Sequence, residues 1–469
     1  MARSDTIRRR AFCRAFWLAA LAVGLTVCPI RTVAGEKPNI LVILCDDLGY
    51  GDLGCFGHPV IESPHLDRLA SQGLRLTSCY AAAPVCSPAR AGLITGRTPN
   101  RAGVYDWIPD GSPMHLRQHE LSVASIMKDA GYHTCHVGKW HLNGKFNHPE
   151  QPQPGDHGFE YWFSTQNNAL LTHANPVNFA RNGKAVGPLQ GFSSTLIVDE
   201  AIRWLDERDS ARPFCLFVWF HSPHEVIATA EAYVERYLNR SAGRKQAEYF
   251  GNVTQMDEEV GRLLGAVDTA ETGDNTFVFF TSDNGPETLN RYGPNSSRSY
   301  GVPGPLRGMK LHMYEGGIRV PGIVRWPGHA RPGSTSDEPI SGVDVLPTLC
   351  EIAGADLPAR PRLDGASFLP ALSGKSVDRS VPLYWQYDRA LSHPKVALRD
   401  GDWKLLADAE LKTFELYNLR DDVAEAKNLA KQEPKRTQRL AEKLRKLHAD
   451  VKRDGPTWPK WSRKKKKAK

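Results

Sequence analysis

The sequence predicts an α/β protein built around a central, largely buried β-sheet. Four continuous apolar runs indicate buried strands, at residues 39–45, 133–137, 214–220 and 275–280. Polar or charged side chains follow each run, which is where open α/β sheets bind their ligands. With 469 residues, 41% of them apolar, the chain is long enough for one large core and a smaller second domain.

Amphipathic segments between these runs predict helices that cover the sheet. The helix predicted at residues 87–95 shows the reasoning: Pro88 suits a first turn, because its missing N–H is not needed there, and Gly96 marks the end. Met256 and Asp257 are expected to serve as core and cap of a later helix rather than in chemistry. The remaining helices of this region are predicted at residues 64–73, 121–130, 193–205, 249–267 and 343–352.

Residues 147–190 are rich in Pro, Asn, Gly and His and show little periodicity. This composition predicts a long loop excursion, and such loops often carry function. Residues 164–168 and His173 are candidates for lining a substrate entrance, although a polar surface loop explains them equally well.

The C-terminal part predicts a small α+β domain beyond a boundary near residue 375. Its four short strands form an antiparallel sheet, a basic helix follows at residues 437–451, and residues 461–469 are a basic, disordered tail. The main domain then covers residues 36–375, and the C-terminal domain covers residues 376–460. The strands are predicted at residues 382–387, 395–399, 403–406 and 413–417.

The first 35 residues are typical of a secretory signal. Arginines precede an apolar core at residues 15–27, and Ala34-Gly35 offers small residues for cleavage. We therefore expect an exported protein, periplasmic or secreted, without a membrane span, because the apolar core is too short for one. The net charge of +8 is concentrated near the two ends of the chain, so no nucleic-acid partner is expected.

The nine cysteines fit export only loosely. Cys13 and Cys28 fall in the predicted signal, and no Cys-x-x-Cys zinc pattern occurs. If Cys86 is set aside, six cysteines remain, and several lie in apolar runs where a small buried side chain is the ordinary explanation. We expect mostly buried thiols and at most one disulfide.

Two pairs of side chains with carboxylate or amide oxygens follow predicted strands. Asp46-Asp47 ends the first strand, and Asp283-Asn284 follows the fourth. Adjacent carboxylates repel each other unless a cation joins them, and such hard oxygen ligands suit calcium or magnesium. Solvated turns are the alternative for both pairs, since Asp-Asn-Gly is also turn chemistry.

Basic side chains follow the other two strands. Lys139 and His141 leave the second strand, and His221 and His224 leave the third. Cys86 lies at the predicted N-terminus of the helix at residues 87–95, where the helix dipole favours negative charge. Taken alone, each has a simpler explanation: a solvated lysine, a packed histidine or a buried cysteine.

Residues 86–90, a Cys-x-Pro-x-Arg stretch, resemble the signature of the type I (formylglycine-dependent) sulfatases. Further blocks of that family are recognisable, in family order, at residues 45–52, 138–142, 282–285 and 310–321. The sequence is most similar to the branch of arylsulfatase A and N-acetylgalactosamine-6-sulfatase. It departs from the family pattern in small ways, at Asn143, Val226, Met309 and Val423.

The resemblance implies an alkaline-phosphatase-like sandwich: a large central mixed β-sheet flanked by helices, plus the smaller C-terminal α+β domain with its antiparallel sheet. It also implies that a formylglycine-generating enzyme oxidises Cys86, and that the product hydrolyses sulfate monoesters, of carbohydrates by preference and also of aryl alcohols. The implied metal ion is Ca²⁺, with Mg²⁺ as the alternative, held by Asp46, Asp47, Asp283 and Asn284 together with residue 86. The implied catalytic side chains are Cys86, Arg90 as anchor of the nucleophile, Lys139 and Lys310 on sulfate, and His141 or His224 as proton donor.

Two other functions remain open at this stage. A phosphatase or phosphonate hydrolase of the same superfamily would usually carry Thr or Ser as nucleophile, or a His-rich two-zinc site. Cys86 with Pro88 and Arg90 argues against both. A catalytically silent, secreted binding protein is the other alternative, and the complete set of charged site residues argues against it.

Overall fold

The computed structural model describes residues 37–269, 272–287, 300–357 and 359–461. The predicted signal at residues 1–35 and nearly all of the predicted tail lie outside these residues, so both stay predictions. No helix in the described part is long and apolar enough to cross a membrane. The strands are β1 (Asn39–Asp46), β2 (Leu74–Leu76), β3 (Cys79–Tyr80), β4 (His133–Lys139), β5 (Tyr161–Thr165), β6 (Ala180–Arg181), β7 (Lys184–Ala185), β8 (Phe214–Pro223), β9 (Thr276–Ser282), β10 (Gly322–Arg325), β11 (Ser334–Ser336), β12 (Ile340–Ser341), β13 (Leu383–Gln386), β14 (Val396–Asp400), β15 (Trp403–Ala407) and β16 (Phe414–Asn418).

Helices alternate with these strands through the main part of the chain. Each of the six helices predicted there is present, with ends that differ by a few residues. The helices are α1 (Pro64–Gln72), α2 (Cys86–Thr95), α3 (Pro99–Ala102), α4 (Val123–Asp129), α5 (Ser193–Glu207), α6 (Glu231–Glu235), α7 (Arg244–Thr269), α8 (Glu315–Ile318), α9 (Val345–Ala353), α10 (Leu369–Leu372) and α11 (Pro434–Asp454).

The large sheet is mixed, in the order β11-β2-β10-β9-β1-β8-β4-β5-β6-β7. Its centre is parallel: β1 lies between β8 and β9, and β4 pairs with β8 and β5. Strand β10 joins β9 and β2 in antiparallel pairing, so the sheet changes direction on that side. The four predicted apolar runs are therefore confirmed as the central strands β1, β4, β8 and β9.

The sheet is covered on both faces, because alternate residues of the central strands enter two separate apolar layers. In β1, Ile40 and Val42 pack into one layer, and Leu41 and Ile43 pack into the other. Helices α2, α4 and α9 contribute to the first layer, and α1, α5 and α7 to the second. This three-layer arrangement explains why the strands are apolar at every position rather than at alternate ones.

The loop prediction for residues 147–190 was wrong in part. Strand β5 (Tyr161–Thr165) lies inside that stretch and pairs in parallel with β4, with Phe163 opposite Val137. Its aromatic and β-branched residues suit a strand, but five residues between Pro- and Gly-rich turns are too few to show a period. The short strands β6 and β7 extend the sheet from it.

The C-terminal sheet, β13-β14-β15-β16, is an antiparallel meander, as predicted. Helix α11 covers one face through Leu440, Leu444 and Val451, and it begins at Pro434, earlier than predicted. On the other face the Trp385 indole donates to the Ala81 carbonyl at 2.8 Å. The described residues form one compact unit, and the domain boundary near residue 375 stays a prediction.

Two smaller predictions can be read from the packing. The seven described cysteines are free thiols, and Cys55 is the one that is partly exposed. Asp257 is buried and accepts hydrogen bonds from the backbone N–H groups of His65 and Leu66, at 3.0 and 2.8 Å. It therefore caps the first turn of α1 rather than its own helix α7, so the role is structural, as expected, but the capped helix is a different one.

Candidate active site

The carboxyl ends of the four central strands bring the predicted site residues together. Because β9, β1, β8 and β4 are parallel neighbours, the segments that leave them meet at one edge of the sheet. The Asp283 backbone N–H donates to the Cys45 carbonyl at 3.0 Å, which extends the β1–β9 pairing into the site. Asp47 and His141 both have positive φ, 64° and 56°, where the chain turns away from its strand.

The pairs Asp46-Asp47 and Asp283-Asn284 form one buried cluster, which we call the acidic cluster. Asn284 donates its Nδ2 to Asp47 Oδ1 at 2.7 Å, and the Asp47 backbone N–H donates to Asp283 Oδ1 at 3.2 Å. Two oxygen atoms in this cluster, Asp46 Oδ1 and Asn284 Oδ1, are buried and have no hydrogen-bond partner among the described residues. Buried acceptors are costly when left unpaired, so an all-oxygen cluster with free lone pairs fits a hard cation.

Cys86 starts helix α2 beside this cluster and is 1% exposed. Its Sγ lies within 4.8 Å of a carboxylate oxygen of Asp46 and of Asp283. Burial raises the pKa of the thiol to about 11, although Lys139 and Lys310 act in the opposite direction. The unmodified side chain is therefore a protonated thiol at neutral pH, which is a weak nucleophile.

Arg90 lies one turn further along α2 and connects three strand ends. Its Nε and Nη2 donate to Asp283 Oδ2 at 2.9 and 2.7 Å, and its Nη1 donates to the Lys139 carbonyl at 2.8 Å. The guanidinium also lies over the Trp219 ring, 5.1 Å from the centroid. It therefore holds Asp283 and the end of β4 in fixed positions next to residue 86.

Two buried lysines complete the charge of the site. Lys139 Nζ donates to Asp46 Oδ2, and Lys310 Nζ lies 2.6 Å from Asp47 Oδ1. Lys310 also lies 3.5 Å from Glu287 Oε2, a buried carboxylate that the sequence analysis did not single out. Nothing in the sequence separated Glu287 from the loop around it.

The pKa values of the three acids are shifted in different directions, because the nearby cations stabilise the ionised form of one acid more than those of the others. Burial raises the pKa of Asp46, but Lys139 and other nearby cations outweigh it and hold the pKa well below the usual range. Burial raises the pKa of Asp283 to about 7, with the charge of Asp46 adding to the effect. Burial also raises the pKa of Asp47, against the charge of Lys310. A further cation among these carboxylates would favour their ionised forms.

The two candidate proton donors occupy different positions. His224 Nε2 lies 3.6 Å from Asp47 Oδ2, and its side chain is 17% exposed. His141 is fully buried, with Nε2 3.0 Å from the Ile108 carbonyl and Nδ1 without a partner among the described residues. His221 instead lies with Nε2 2.8 Å from Thr165 Oγ1. The structure thus places His224, rather than His221, within ion-pair distance of Asp47.

A cavity of about 910 Å³ opens over the site, with His224 and Lys310 in its wall. The opposite wall comes from the C-terminal part of the chain, through Tyr387, Arg389 and Trp458. Of the predicted entrance residues, Asn167 and Asn168 do line this cavity, whereas Ser164, Thr165 and His173 are buried behind it. The contribution of Trp107 and of the C-terminal residues was missed, because no local pattern marks them.

The main domain matches the family described as Sulfatase over residues 38–355, and residues 309–453 match the family described as N-sulphoglucosamine sulphohydrolase, C-terminal. The chain is 36% identical over 412 residues to arylsulfatase A of Homo sapiens, which covers 82% of this chain and 76% of the relative. It is 33% identical over 393 residues to N-acetylgalactosamine-6-sulfatase of Sus scrofa, covering 78% and 71%. Steryl-sulfatase of Rattus norvegicus is 32% identical over 440 residues, covering 76% and 74%.

Solved structures give the same picture. Ps i-CgsB in complex with k-i-k-neocarrahexaose superposes with a TM-score of 0.77 at 26% identity, over 90% of this chain and 94% of that one. The PsFucS1 sulfatase from Pseudoalteromonas sp. gives 0.75 at 25% identity, over 90% and 92%. The phosphonate monoester hydrolase of Agrobacterium radiobacter shares the fold alone, with a TM-score of 0.63 at 21% identity. The alkaline-phosphatase-like fold is thus confirmed, and the chain belongs to the sulfatase family, whose members hydrolyse sulfate esters.

Proposed function

We propose that this sulfatase acts through a formylglycine at residue 86 and a calcium ion, on carbohydrate sulfates outside the cytoplasm. The observation that carries the proposal is the position of Cys86, at a helix N-terminus beside two buried acids, Asp46 and Asp283, in a cluster that Lys139 and Lys310 neutralise in part. A protonated, buried thiol does not suit sulfuryl transfer, whereas a hydrated aldehyde at the same place would offer two hydroxyl groups.

In the proposed reaction, one hydroxyl of hydrated residue 86 attacks the sulfur, and the S–O bond to the alcohol breaks. The alcohol leaves with a proton from the site, and the sulfuryl group stays on residue 86. The second hydroxyl then loses its proton, sulfate departs and the aldehyde is restored, so that water can hydrate it again. A serine at position 86 has a single hydroxyl, so it cannot expel the sulfate in the second step of the reaction.

Lys139 and Lys310 are the side chains placed to hold the sulfate oxygens. Both are buried, and positive charge in a site with little water stabilises developing negative charge strongly. His224 is the better placed proton donor, because it lines the cavity while His141 is buried and engaged with the Ile108 carbonyl. Burial lowers the pKa of His224 to about 3, and a bound sulfate anion would raise that pKa again.

The metal site fits a hard divalent ion. Asp46, Asp47, Asp283 and Asn284 would hold it together with residue 86, and the two unpartnered oxygens of Asp46 and Asn284 support this set. When bound, the ion supplies positive charge to the sulfate oxygens and to the nucleophile. An oxygen donor set favours Ca²⁺, with Mg²⁺ as the alternative, over zinc.

Export and maturation belong to the same proposal. The basic and apolar regions within residues 1–35 support cleavage near Glu36, and the Cys-x-Pro-x-Arg stretch supports a formylglycine-generating enzyme as maturation partner. Carbohydrate sulfates are supported by relatives named for an N-acetylgalactosamine sulfate and by a matched structure that holds a carrageenan oligosaccharide.

Mass mapping of the peptide that contains residue 86 tests the proposal directly. Active protein should carry the aldehyde in place of the thiol, and Cys86→Ser should fold normally, by thermal denaturation and circular dichroism, yet show no turnover of 4-nitrophenyl sulfate. Fully active protein with an intact thiol at residue 86 would rule the mechanism out.

A further inference from the structure

A second cavity adjoins the first one and shares a wall with it. It has a volume of about 500 Å³, against about 910 Å³ for the cavity over the site. Trp107, Pro109, Asn167 and Asn168 line both cavities, so the two are direct neighbours, and together we call them the cleft. Single small-ligand pockets range from about 300 to 1,000 Å³, so this cleft is larger than one sulfated sugar or aryl sulfate requires.

Trp107 stands at the junction of the two cavities. Its side chain is 40% exposed, an unusual state for the largest aromatic residue. One edge of the ring packs against His141, with ring centroids 6.0 Å apart and an interplanar angle of 79°. The indole is thus held beside the reaction site, and part of it faces the cleft. A flat apolar surface in this position can bind the face of a sugar ring.

Amide side chains flank this indole. Asn167 and Asn168 line both cavities, and Gln166 and Asn178 line the second one. Gln166 and Asn167 are half-buried, and Gln166 Oε1 and Asn167 Nδ2 have no hydrogen-bond partner among the described residues. A ligand with hydroxyl groups can pair with this acceptor and this donor, whereas a hydrocarbon ligand would leave them unpaired at a cost.

We propose that the cleft binds a sulfated oligosaccharide across both cavities, and that Trp107 is the platform for the sugar next to the sulfated one. The inference rests on the proposed function, because it places the sulfated sugar at His224 and Lys310. It goes further by naming the residues that select an oligosaccharide over a monosaccharide. Trp107 contributes the stacking face, and the half-buried amide side chains of Gln166 and Asn167 hydrogen-bond sugar hydroxyls.

A hydrophobic sulfate ester, such as a steroid sulfate, is the competing substrate class. Leu170 and Val177 line the second cavity and are 45% and 47% exposed, which by itself would suit a hydrocarbon. The half-buried, unpaired amide groups of Gln166 and Asn167 in the same cavity favour the sugar instead. Estrone sulfate therefore serves as a probe that can contradict the inference.

The test compares matched substrates on wild type, Trp107→Ala, Trp107→Phe and Leu238→Ala. The pairs are N-acetylgalactosamine 6-sulfate with a chondroitin 6-sulfate tetrasaccharide, and galactose 4-sulfate with a κ-carrageenan tetrasaccharide. Leu238 is the control, because it is also 40% exposed and lines neither cavity. In wild type, kcat/KM for at least one tetrasaccharide should exceed that for its monosaccharide by about tenfold or more. Trp107→Ala should bring that ratio close to one, a loss of about tenfold or more, while Trp107→Phe and Leu238→Ala should largely keep it.

Calorimetric binding of the same sugars to Cys86→Ser protein separates this inference from the proposed function. If the tetrasaccharide binds more tightly than the monosaccharide and Trp107→Ala removes the difference, the platform holds even when no sulfate is released. Three results would overturn the inference. They are a kcat/KM for both tetrasaccharides no higher than for their monosaccharides, an equal loss of kcat/KM for both members of a pair in Trp107→Ala, and a kcat/KM for estrone sulfate above that for every sugar. Failure to hydrolyse 4-nitrophenyl sulfate with the aldehyde present would instead count against the proposed function.

Discussion

Lys404→Met is expected to destabilise the protein substantially, because Lys404 is the shared partner of two buried carboxylates. Its Nζ lies 2.9 Å from Glu315 Oε1 and 2.9 Å from Glu425 Oε1, and all three side chains have no solvent exposure. Removing one member of a buried ion pair typically costs about 3–5 kcal/mol, since the remaining charge stays buried without compensation. Glu315 begins α8, five residues after Lys310, so the cluster also anchors the segment that carries this proposed sulfate-binding side chain.

The loss converts into a measurable shift in melting temperature. An unfolding entropy of about 2.1 cal/mol/K per residue over residues 37–469 amounts to about 0.9 kcal/mol/K. The substitution should therefore lower Tm by about 3–6 °C.

The shift should also depend on pH, with a sign that follows from the acids. Burial raises the pKa of Glu315, but Lys404, Arg319 and Arg399 outweigh it and lower the pKa to about 2. This depressed pKa contributes stability above the unfolded pKa of about 4.3, and the contribution disappears as the pH falls. Burial raises the pKa of Glu425 to about 7, and removing Lys404 would raise it further. A buried carboxyl with a raised pKa loses stability as the pH rises. Because Glu425 of the wild type is itself protonated up to about pH 7, the deficit of the variant should grow as the pH rises through 7, from about pH 6 to pH 8.

Differential scanning fluorimetry of wild type and variant across this pH range is the assay. Lys443→Met provides the matched control, because Lys443 pairs with Asp400 at 2.7 Å but is 49% exposed, and such surface pairs contribute about 0–1 kcal/mol. A deficit for Lys404→Met no larger than that of Lys443→Met at pH 8, or one that shrinks as the pH rises, would refute the reasoning.

Three further predictions concern the site and the leader. Lys310→Ala should lower kcat/KM for 4-nitrophenyl sulfate by about 10²–10³, because one charge contact to the transition state is lost, and an unchanged rate would remove Lys310 from the site. Elemental analysis of active enzyme should find calcium or magnesium in stoichiometric amount, and stoichiometric zinc without either ion would contradict the oxygen donor set. The mature N-terminus in native cells should lie near Glu36, and a chain that still begins at Met1 would contradict export.

The site could be predicted from sequence as far as it is built from strand ends. An apolar run in the sequence indicates each buried strand. Because these strands are parallel neighbours, the residues that follow the runs meet at one edge of the sheet. Asp46, Asp283, Lys139 and His224 were therefore found with local patterns and the family blocks alone. Where the pattern was short, as in the five residues of β5, prediction failed, because no period can be recognised in so few residues.

The walls of the cleft could be predicted only in part. Asn167 and Asn168 were among the predicted entrance residues, but Trp107, Arg389 and Trp458 come from other parts of the chain, and none stands in a motif. Their proximity follows from how the C-terminal sheet packs on the main domain, and that packing depends on tertiary contacts rather than on local propensity. Glu287 illustrates the same limit inside the site, since its contact with Lys310 is a matter of loop geometry.

The C-terminal sheet contacts both the segment that carries Lys310 and the wall of the cleft. Lys404, which lies on that sheet, pairs with Glu315 at the start of α8, close behind the Lys310 segment. Residues that follow β13 build the cleft wall, where Arg389 Nη1 lies 2.8 Å from Asp106 Oδ2, next to Trp107. Under the proposed function, reaction chemistry would depend on the buried side of this sheet, and substrate selection would depend on its loops. Because Arg389 is 75% exposed and pairs with Asp106 rather than with the acidic cluster, substitutions at Arg389 should change which sulfate ester is bound while the metal ligands stay in place.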